Sequence, residues 1–237
     1  MSLRNQSLFA RIWSDPDRGD PPWYLGRYFI ICCVMIAVTL LYPMAQSYVG
    51  IILLRLMFTA ILLSALYTAI RKPRLYRGLL LLLIPTLLAN WIVNPGDHPG
   101  LIILSSSATL FILIAAIGVI LHHIIAARRV SEDIIFGSVA AYLLFGLLWA
   151  MAYELLNVIM PGMVISSAGE ILTAQERATQ FSDFMYFSFI TLTSVGYGDL
   201  TPIGTPARAL AMVEGIFGQL YTAILIAWLV GVRVAQE

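Results

Sequence analysis

Thr193-Ser-Val-Gly-Tyr-Gly-Asp-Leu-Thr-Pro202 is the stretch that says most about the fold of this chain of 237 residues. Its glycines, Gly196 and Gly198, can adopt left-handed backbone conformations that other residues avoid. A segment built in this way can turn successive backbone carbonyls toward one side. An apolar and aromatic run, Asp183 to Thr193, leads into it, and a long apolar segment follows Pro202. The sequence therefore predicts a short buried helix, a loop lined with carbonyl oxygens and a membrane helix in succession.

The composition indicates a membrane protein. Hydrophobic residues make up 60% of the chain and charged residues 11%, whereas ordinary globular domains are about 25% charged. The net charge of +1 and the scattered arginines do not indicate binding of nucleic acid. No pairing of nucleophile and base and no cluster of metal ligands points to an enzyme. We therefore expect an all-α protein of the lipid bilayer that has neither catalytic residues nor a cofactor.

The spacing of apolar runs predicts how often the chain crosses the membrane. A helix needs about 20 apolar residues to span the hydrocarbon core. Six segments meet this length, near residues 24–45, 48–70, 76–94, 101–127, 133–157 and 208–234. A further helix near 182–193 is too short to span. It must dip in and return, which a membrane tolerates only where protein or water surrounds the backbone.

Loop charge predicts the orientation of these helices, because basic loops remain on the cytoplasmic side. Basic residues lie between the second and third helices and between the fourth and fifth: Arg71, Lys72, Arg74, Arg77, Arg128 and Arg129. The opposite loops, around 43–48 and 95–100, carry neither lysine nor arginine. The protein is therefore predicted to lie in the plasma membrane with both termini on the cytoplasmic side. The connection at 158–181 and the mouth of the glycine-containing loop then face outward.

In this setting, the segment Ser194-Val195-Gly196-Tyr197-Gly198 resembles the selectivity filter of the tetrameric potassium-channel superfamily. The resemblance implies that the carbonyls of Ser194, Val195, Gly196 and Tyr197, with the Ser194 hydroxyl, replace the hydration shell of the permeant ion, K+. Gly198 would contribute at the outer mouth. A ring needs four such strands and the chain has one, so the resemblance implies a homotetramer of identical subunits. The superfamily more often has threonine in place of Ser194, so the innermost ion site could be looser.

The same resemblance implies residues that support the filter. The ring of Tyr197 is expected to pack against the pore helix, and Thr193 to support the filter from its inner end. Tyr186 stands where voltage-gated relatives have a tryptophan that bonds the aspartate at the position of Asp199, so we predict a Tyr186–Asp199 hydrogen bond. The alternative is a solvated carboxylate. Glu154 resembles a glutamate with which those relatives brace the outer mouth.

Glu214 is an ionisable residue within a predicted spanning helix. Such residues are costly in a membrane and are functional candidates by default. One interpretation is a proton-sensitive support for the pore helix. The other is a structural carboxylate paired with Thr191 or Thr193.

The last helix carries the candidates for gating. Gly218 lies 19 residues after Asp199, the spacing at which the superfamily has a hinge glycine. Close packing at a helix crossing is the alternative. Residues that recur every four positions from Gly218 are expected to share its face and, by resemblance, to line the cavity: Thr222, Ile226, Val230 and Val234. They could close the path by dewetting, or they could only pack subunit against subunit.

The first four helices do not have the pattern of a voltage sensor. Such sensors repeat arginine along the fourth helix, and residues 101–127 contain none. The predicted organisation is a cytoplasmic segment at 1–27, a four-helix sensor-like bundle without gating charges at 28–130, and a pore domain at 131–237. A potassium channel without strong voltage dependence is the function that this organisation favours. The alternatives are a subunit of a potassium uptake transporter and a non-conducting regulatory membrane protein.

Overall fold

A computed structural model describes residues 27–41, 99–127, 131–160, 164–166 and 177–234, together with residues 83–88 and positions 52, 55, 56, 59 and 91. Helices and two short strands form this part of the chain. In chain order they are α1 (Arg27–Leu41), α2 (Pro99–Ile125), α3 (Glu132–Ile159), β1 (Val164–Ser166), α4 (Arg177–Leu192), β2 (Leu200–Pro202) and α5 (Thr205–Val234).

Three of the described helices are long and apolar enough to cross a membrane, by length and composition: α2, α3 and α5. They coincide with the fourth, fifth and sixth helices that the sequence predicts. Helix α1 contains a shorter apolar stretch, Tyr28–Ala37, within the predicted first helix. The predicted helices at 48–70 and 76–94 and the segment at 1–27 lie largely outside the described residues. The total of six spans therefore stays a prediction.

Helix α3 is the centre of the packing, since it contacts α1, α2, α4 and α5. Ala140, Ala141 and Ala150 are fully buried on it. Side chains this small let neighbouring helices approach closely within a membrane. At its beginning, Asp133 accepts a hydrogen bond of 3.1 Å from the backbone amide of Tyr28. This contact fixes the start of α1 beside the start of α3.

Helix α4 has the length expected of a re-entrant pore helix. It contains 16 residues, fewer than the about 20 that a spanning helix needs. It begins at Arg177, five residues before the predicted start at 182, and ends at Leu192. Its apolar side packs on α3, with Phe184, Met185 and Phe187 buried. The filter segment follows directly after its last turn.

The expectation of a purely α-helical protein is incomplete. Strands β1 and β2 pair in antiparallel register, with Ile165 opposite Thr201. Strand β2 comes directly after the filter, so the pair connects the filter's outer end to the α3–α4 connection. Each strand has only three residues, too few for an alternating pattern to be visible in the sequence. Pairing with β1 gives the backbone of β2 hydrogen-bond partners outside any helix.

Candidate functional site

The backbone of the filter segment alternates in handedness. Ser194, Gly196 and Gly198 have φ angles of 59°, 53° and 80°, whereas Val195 and Tyr197 do not have positive φ. In an extended strand, successive carbonyls point to opposite sides. Alternation between right- and left-handed conformations instead aligns successive peptide units, with amides on one side and carbonyls on the other. The segment can therefore present a row of carbonyl oxygens, as the sequence predicts.

Hydrogen bonds anchor the start of this segment to the last turn of α4. The amide of Ser194 donates to the carbonyl of Thr191 at 3.0 Å, and the amide of Gly196 donates to that of Ile190 at 3.1 Å. The Thr193 hydroxyl donates to the carbonyl of Phe189 at 2.6 Å. Thr193 thus ties the loop to the pore helix, which is a contact that a filter support requires.

The outer end of the segment has the hydrogen bond that the sequence predicts. The Tyr186 hydroxyl donates to Asp199 Oδ2 at 2.8 Å, so the carboxylate is tied to the pore helix rather than only solvated. Its effect on the filter stays a prediction. The packing of Tyr197 differs from the expectation, because 73% of this residue is exposed in the single subunit. Its own pore helix leaves most of the ring uncovered.

Glu214 is fully buried, at 0% exposure, and connects three helices. Tyr153 of α3 donates to Oε2 at 2.7 Å, and Ser188 of α4 donates to Oε1 at 2.5 Å. The predicted pairing with Thr191 or Thr193 is therefore wrong. Glu214 faces the middle of α4, one turn before the threonines, so a hydroxyl of that turn is its partner.

These two partners are not evident from the sequence. A hydroxyl such as Ser188 is visible within the aromatic run of α4, but the sequence does not say which helix it faces. The proton sensitivity of Glu214 stays a prediction, now for a carboxyl group with two hydroxyl neighbours.

Glu154 follows Tyr153 on α3 and is half-buried. The described part of the chain gives Glu154 no hydrogen bond to the filter. Its role in bracing the outer mouth therefore stays a prediction that rests on the resemblance alone.

Gly218 lies against the carbonyl end of α4. A methyl group built on Gly218 would overlap the backbone carbonyl of Leu192. That carbonyl also accepts a hydrogen bond of 3.1 Å from the Tyr142 hydroxyl of α3. The structure thus gives Gly218 the close-packing role that was the alternative to a hinge, and bending at this position stays a prediction.

The gating candidates turn progressively away from the face of Gly218, and only Thr222 stays close to it. A helix has 3.6 residues per turn, so each step of four residues rotates the face by about 40°. Gly218 is buried and Thr222 half-buried, whereas Ile226, Val230 and Val234 are exposed in the single subunit. The expected common face is therefore wrong over the whole length of the helix. Residues that line a cavity or pack against another subunit must be exposed in the single subunit. The exposure of Ile226, Val230 and Val234 therefore fits both interpretations.

Gln219 is a site residue that sequence analysis missed. Its Nε2 donates to the Ser194 Oγ at 2.7 Å, directly from α5 to the inner end of the filter segment. The available signal was an amide side chain in an otherwise apolar helix, next to Gly218. The sequence could not reveal its partner, since the two residues are 25 positions apart.

Comparison with known proteins gives a family for this region. The family model described as "Ion channel" matches residues 141–232, which contain most of α3 and all of α4 and the filter segment. Protein LctB of Bacillus caldotenax is 35% identical over 101 residues, which cover 43% of this chain and 73% of that protein. Protein LctB of Geobacillus stearothermophilus is 33% identical over the same shares.

A third relative is an inward rectifier potassium channel, Kirbac3.1 of Paramagnetospirillum magnetotacticum. It is 35% identical over 83 residues, which cover 35% of this chain and 24% of that protein. No solved structure matches the chain significantly.

Proposed function

Because the chain belongs to the ion channel family, we propose that four copies of it form a potassium-selective channel. Conduction is passive, along the electrochemical gradient of K+, and needs neither catalysis nor a cofactor. The pore follows the fourfold axis, and each subunit contributes one filter segment. The permeant ion is K+, the number of subunits is four, and the membrane is the plasma membrane.

The alternating backbone at Ser194, Gly196 and Gly198 is the observation that carries the proposal. Aligned carbonyl dipoles are suited to a dehydrated monovalent cation, because they replace the oxygens of its hydration shell. Gly196-Tyr197-Gly198 is the part of the segment that resembles potassium filters. The inward rectifier potassium channel among the relatives supports the same choice of ion.

Exposure of the inner helix supports an assembly of several subunits. Only 11% of the apolar stretch of α5 is buried within one subunit, against 56% for α3. Val195 and Tyr197 of the filter segment are also mostly uncovered. A closed ring of four subunits would cover the filter from the sides and leave its carbonyls facing the axis.

Weak voltage dependence is part of the proposal. Moving one charge through the membrane field contributes about 2.3 kcal/mol per 100 mV, so steep gating needs several mobile charges. Helix α2, the fourth predicted span, has no lysine or arginine. We assign residues 28–130 to a four-helix sensor-like bundle without gating charges and residues 131–237 to the pore domain. The basic loops support cytoplasmic termini.

Rubidium uptake into liposomes that contain the purified protein tests this function. The liposomes are loaded with K+ and diluted into Na+ medium, and uptake of trace radioactive rubidium is compared with that of radioactive sodium. We expect accumulation of rubidium and little uptake of sodium. Equal uptake of both ions would overturn selectivity. Absence of uptake would favour the non-conducting regulatory protein.

Two glycines provide a matched pair of variants for this assay. A methyl group on Gly196 or on Gly118 would meet no atom within 4 Å. Gly196 has positive φ and lies in the filter segment, whereas Gly118 lies in helix α2, so the pair separates backbone strain in the filter from the addition of a methyl group. Left-handed conformation costs alanine about 1–2 kcal/mol in each subunit. Gly196→Ala is expected to reduce rubidium uptake severely, and Gly118→Ala to leave it unchanged.

A further inference from the structure

Gln219 is the residue of α5 that the proposed conduction pathway does not yet explain. Its side-chain amide donates to the Ser194 hydroxyl at 2.7 Å. An amide in the middle of a membrane helix is costly unless it has a polar partner. Here the partner is the side chain at the inner end of the filter segment.

Close packing fixes the place from which Gln219 reaches the filter. Its neighbour Gly218 lies against the carbonyl of Leu192, without room for a methyl group between them. Leu192 is two residues before Ser194 in the chain. The backbone of α5 is therefore held beside the start of the filter, and the side chain of residue 219 approaches Ser194 from a rigid element.

Ser194 has reasons to need such a partner. It has a φ of 59°, and left-handed conformation outside glycine costs about 1–2 kcal/mol. Threonine would be held in few rotamers by its branched Cβ, whereas serine lacks that methyl group and its hydroxyl turns freely. A hydroxyl has two lone pairs and one hydrogen. A hydrogen-bond donor that occupies one lone pair of the Ser194 oxygen fixes the orientation of this side chain. The second lone pair then remains available to an ion.

We propose that Gln219 is a positioning residue for the innermost ion site. Its amide holds the Ser194 hydroxyl so that the remaining lone pair faces the ion path. It thereby supplies the constraint that the methyl group of threonine would give. The inference rests on the proposed potassium-channel function, because it assigns Ser194 to the pathway of K+.

Block by Ba2+ from the cytoplasmic side reports on the innermost site, because this divalent ion is similar in size to K+ and enters from that end. The measurement uses the full chain in planar bilayers. Four proteins form a double-mutant cycle: wild type, Gln219→Met, Ser194→Thr and the double variant. Methionine keeps the length of glutamine without a strong hydrogen-bonding group. Leu220→Met is the control, because Leu220 is the exposed neighbour on the same helix.

We expect Gln219→Met to weaken Ba2+ block about fivefold in the serine background, since a net hydrogen bond contributes about 1 kcal/mol. In the threonine background the same substitution is expected to have little effect. Leu220→Met should not alter block. An equal effect of Gln219→Met in both backgrounds would mean a packing role and would overturn the proposal. Unchanged block in both backgrounds would also overturn it.

Two further outcomes are distinguishable. If Gln219→Met does not assemble, Gln219→Asn takes its place in the cycle. Asparagine keeps the amide but is one methylene shorter, so it cannot span the distance to Ser194, and unchanged block again overturns the inference. Absence of K+ current in the wild-type protein overturns the proposed function itself, together with the inference. If the wild-type protein conducts K+ but Gln219→Met changes Ba2+ block in neither background or equally in both, only the inference about Gln219 is overturned.

Discussion

Several tyrosine hydroxyls of the proposed pore region, residues 131–234, bond other elements, whereas three hydroxyls of helices α1 and α2 bond their own helix. In the pore region, hydroxyls of Tyr142, Tyr153 and Tyr221 donate to other elements: to Leu192, to Glu214 and to the carbonyl of Ser138. In α1 and α2, the hydroxyls of Thr39, Ser105 and Thr109 donate to carbonyls of their own helices.

The difference shows which part of the molecule needs directional contacts. Besides the bond from the Tyr28 amide to Asp133, apolar side chains hold α1 and α2, and Met35, Leu113 and Ile117 are almost completely buried. Lipid is as apolar as these side chains, so such packing attracts helices without a strong preference for one position. Hydrogen bonds have narrow limits of distance and angle. They occur between α3, α4 and α5, the helices around the proposed filter, where a small displacement would change the proposed ion sites.

The largest effect is expected at the crossing of α5 and the end of α4. Gly218→Ala places a methyl group on the Leu192 carbonyl, whereas Gly231→Ala on the same helix meets no atom within 4 Å. Overpacking costs about 1–3 kcal/mol per site, and a homotetramer has four sites. We expect Gly218→Ala to lower the thermal stability of the assembly and abolish rubidium uptake, with Gly231→Ala near wild type. Equal behaviour of the two variants would refute the close packing.

A second test compares hydroxyl bonds of the two regions. Glu214→Ala leaves the buried hydroxyl of Tyr153 without its acceptor, which costs about 1–3 kcal/mol, whereas the Ser188 hydroxyl keeps the carbonyl of Gly146 as an acceptor. Thr109→Val removes a hydroxyl that bonds the Ser105 carbonyl of its own helix. We expect a smaller loss, because that carbonyl still accepts the helical amide four residues on. Thermal unfolding in detergent measures both. A larger loss of stability from Thr109→Val than from Glu214→Ala would contradict the difference between the two regions.

Glu214→Gln sharpens the same comparison, because the amide keeps the shape of the side chain and cannot titrate. If Glu214 senses protons, rubidium uptake of wild type depends on pH and that of Glu214→Gln does not. The same pH response in both proteins would leave Glu214 a structural role only.

The smallest effect is expected at the outer mouth. Tyr186→Phe removes the hydroxyl that donates to Asp199, and an exposed hydrogen bond contributes about 0.5–1.5 kcal/mol. We expect the variant to assemble and conduct, with a faster decline of current during sustained activity. Recordings at constant voltage measure this decline. If the current of Tyr186→Phe declines at the same rate as that of wild type, the hydrogen bond to Asp199 does not stabilise the filter.

Several features were predictable from the sequence because they depend on neighbouring residues. The left-handed backbone of the proposed filter follows from glycine at 196 and 198, whose φ angles are positive as expected. The re-entrant α4 follows from its length, and α2, α3 and α5 follow from apolar runs. The Tyr186–Asp199 hydrogen bond was also predictable, because the resemblance to voltage-gated relatives identified both residues.

Contacts between distant helices were not predictable in the same way. The partners of Glu214, the packing of Gly218 and the bond from Gln219 to Ser194 depend on how α3, α4 and α5 are rotated about their axes. A soluble helix reveals its rotation through a polar and an apolar face. Helices α3 and α5 are apolar over most of their surface, so their sequences leave that rotation open.

What the sequence alone determined is thus the class of protein, the position of the glycine-containing loop and the helices on either side of it. Backbone freedom of glycine, apolar length and loop charge are local properties, and each can be read from a short stretch of the chain. Only the tertiary structure decided which side chains meet behind and below the filter, because rotation and register of packed helices arise from all their contacts together.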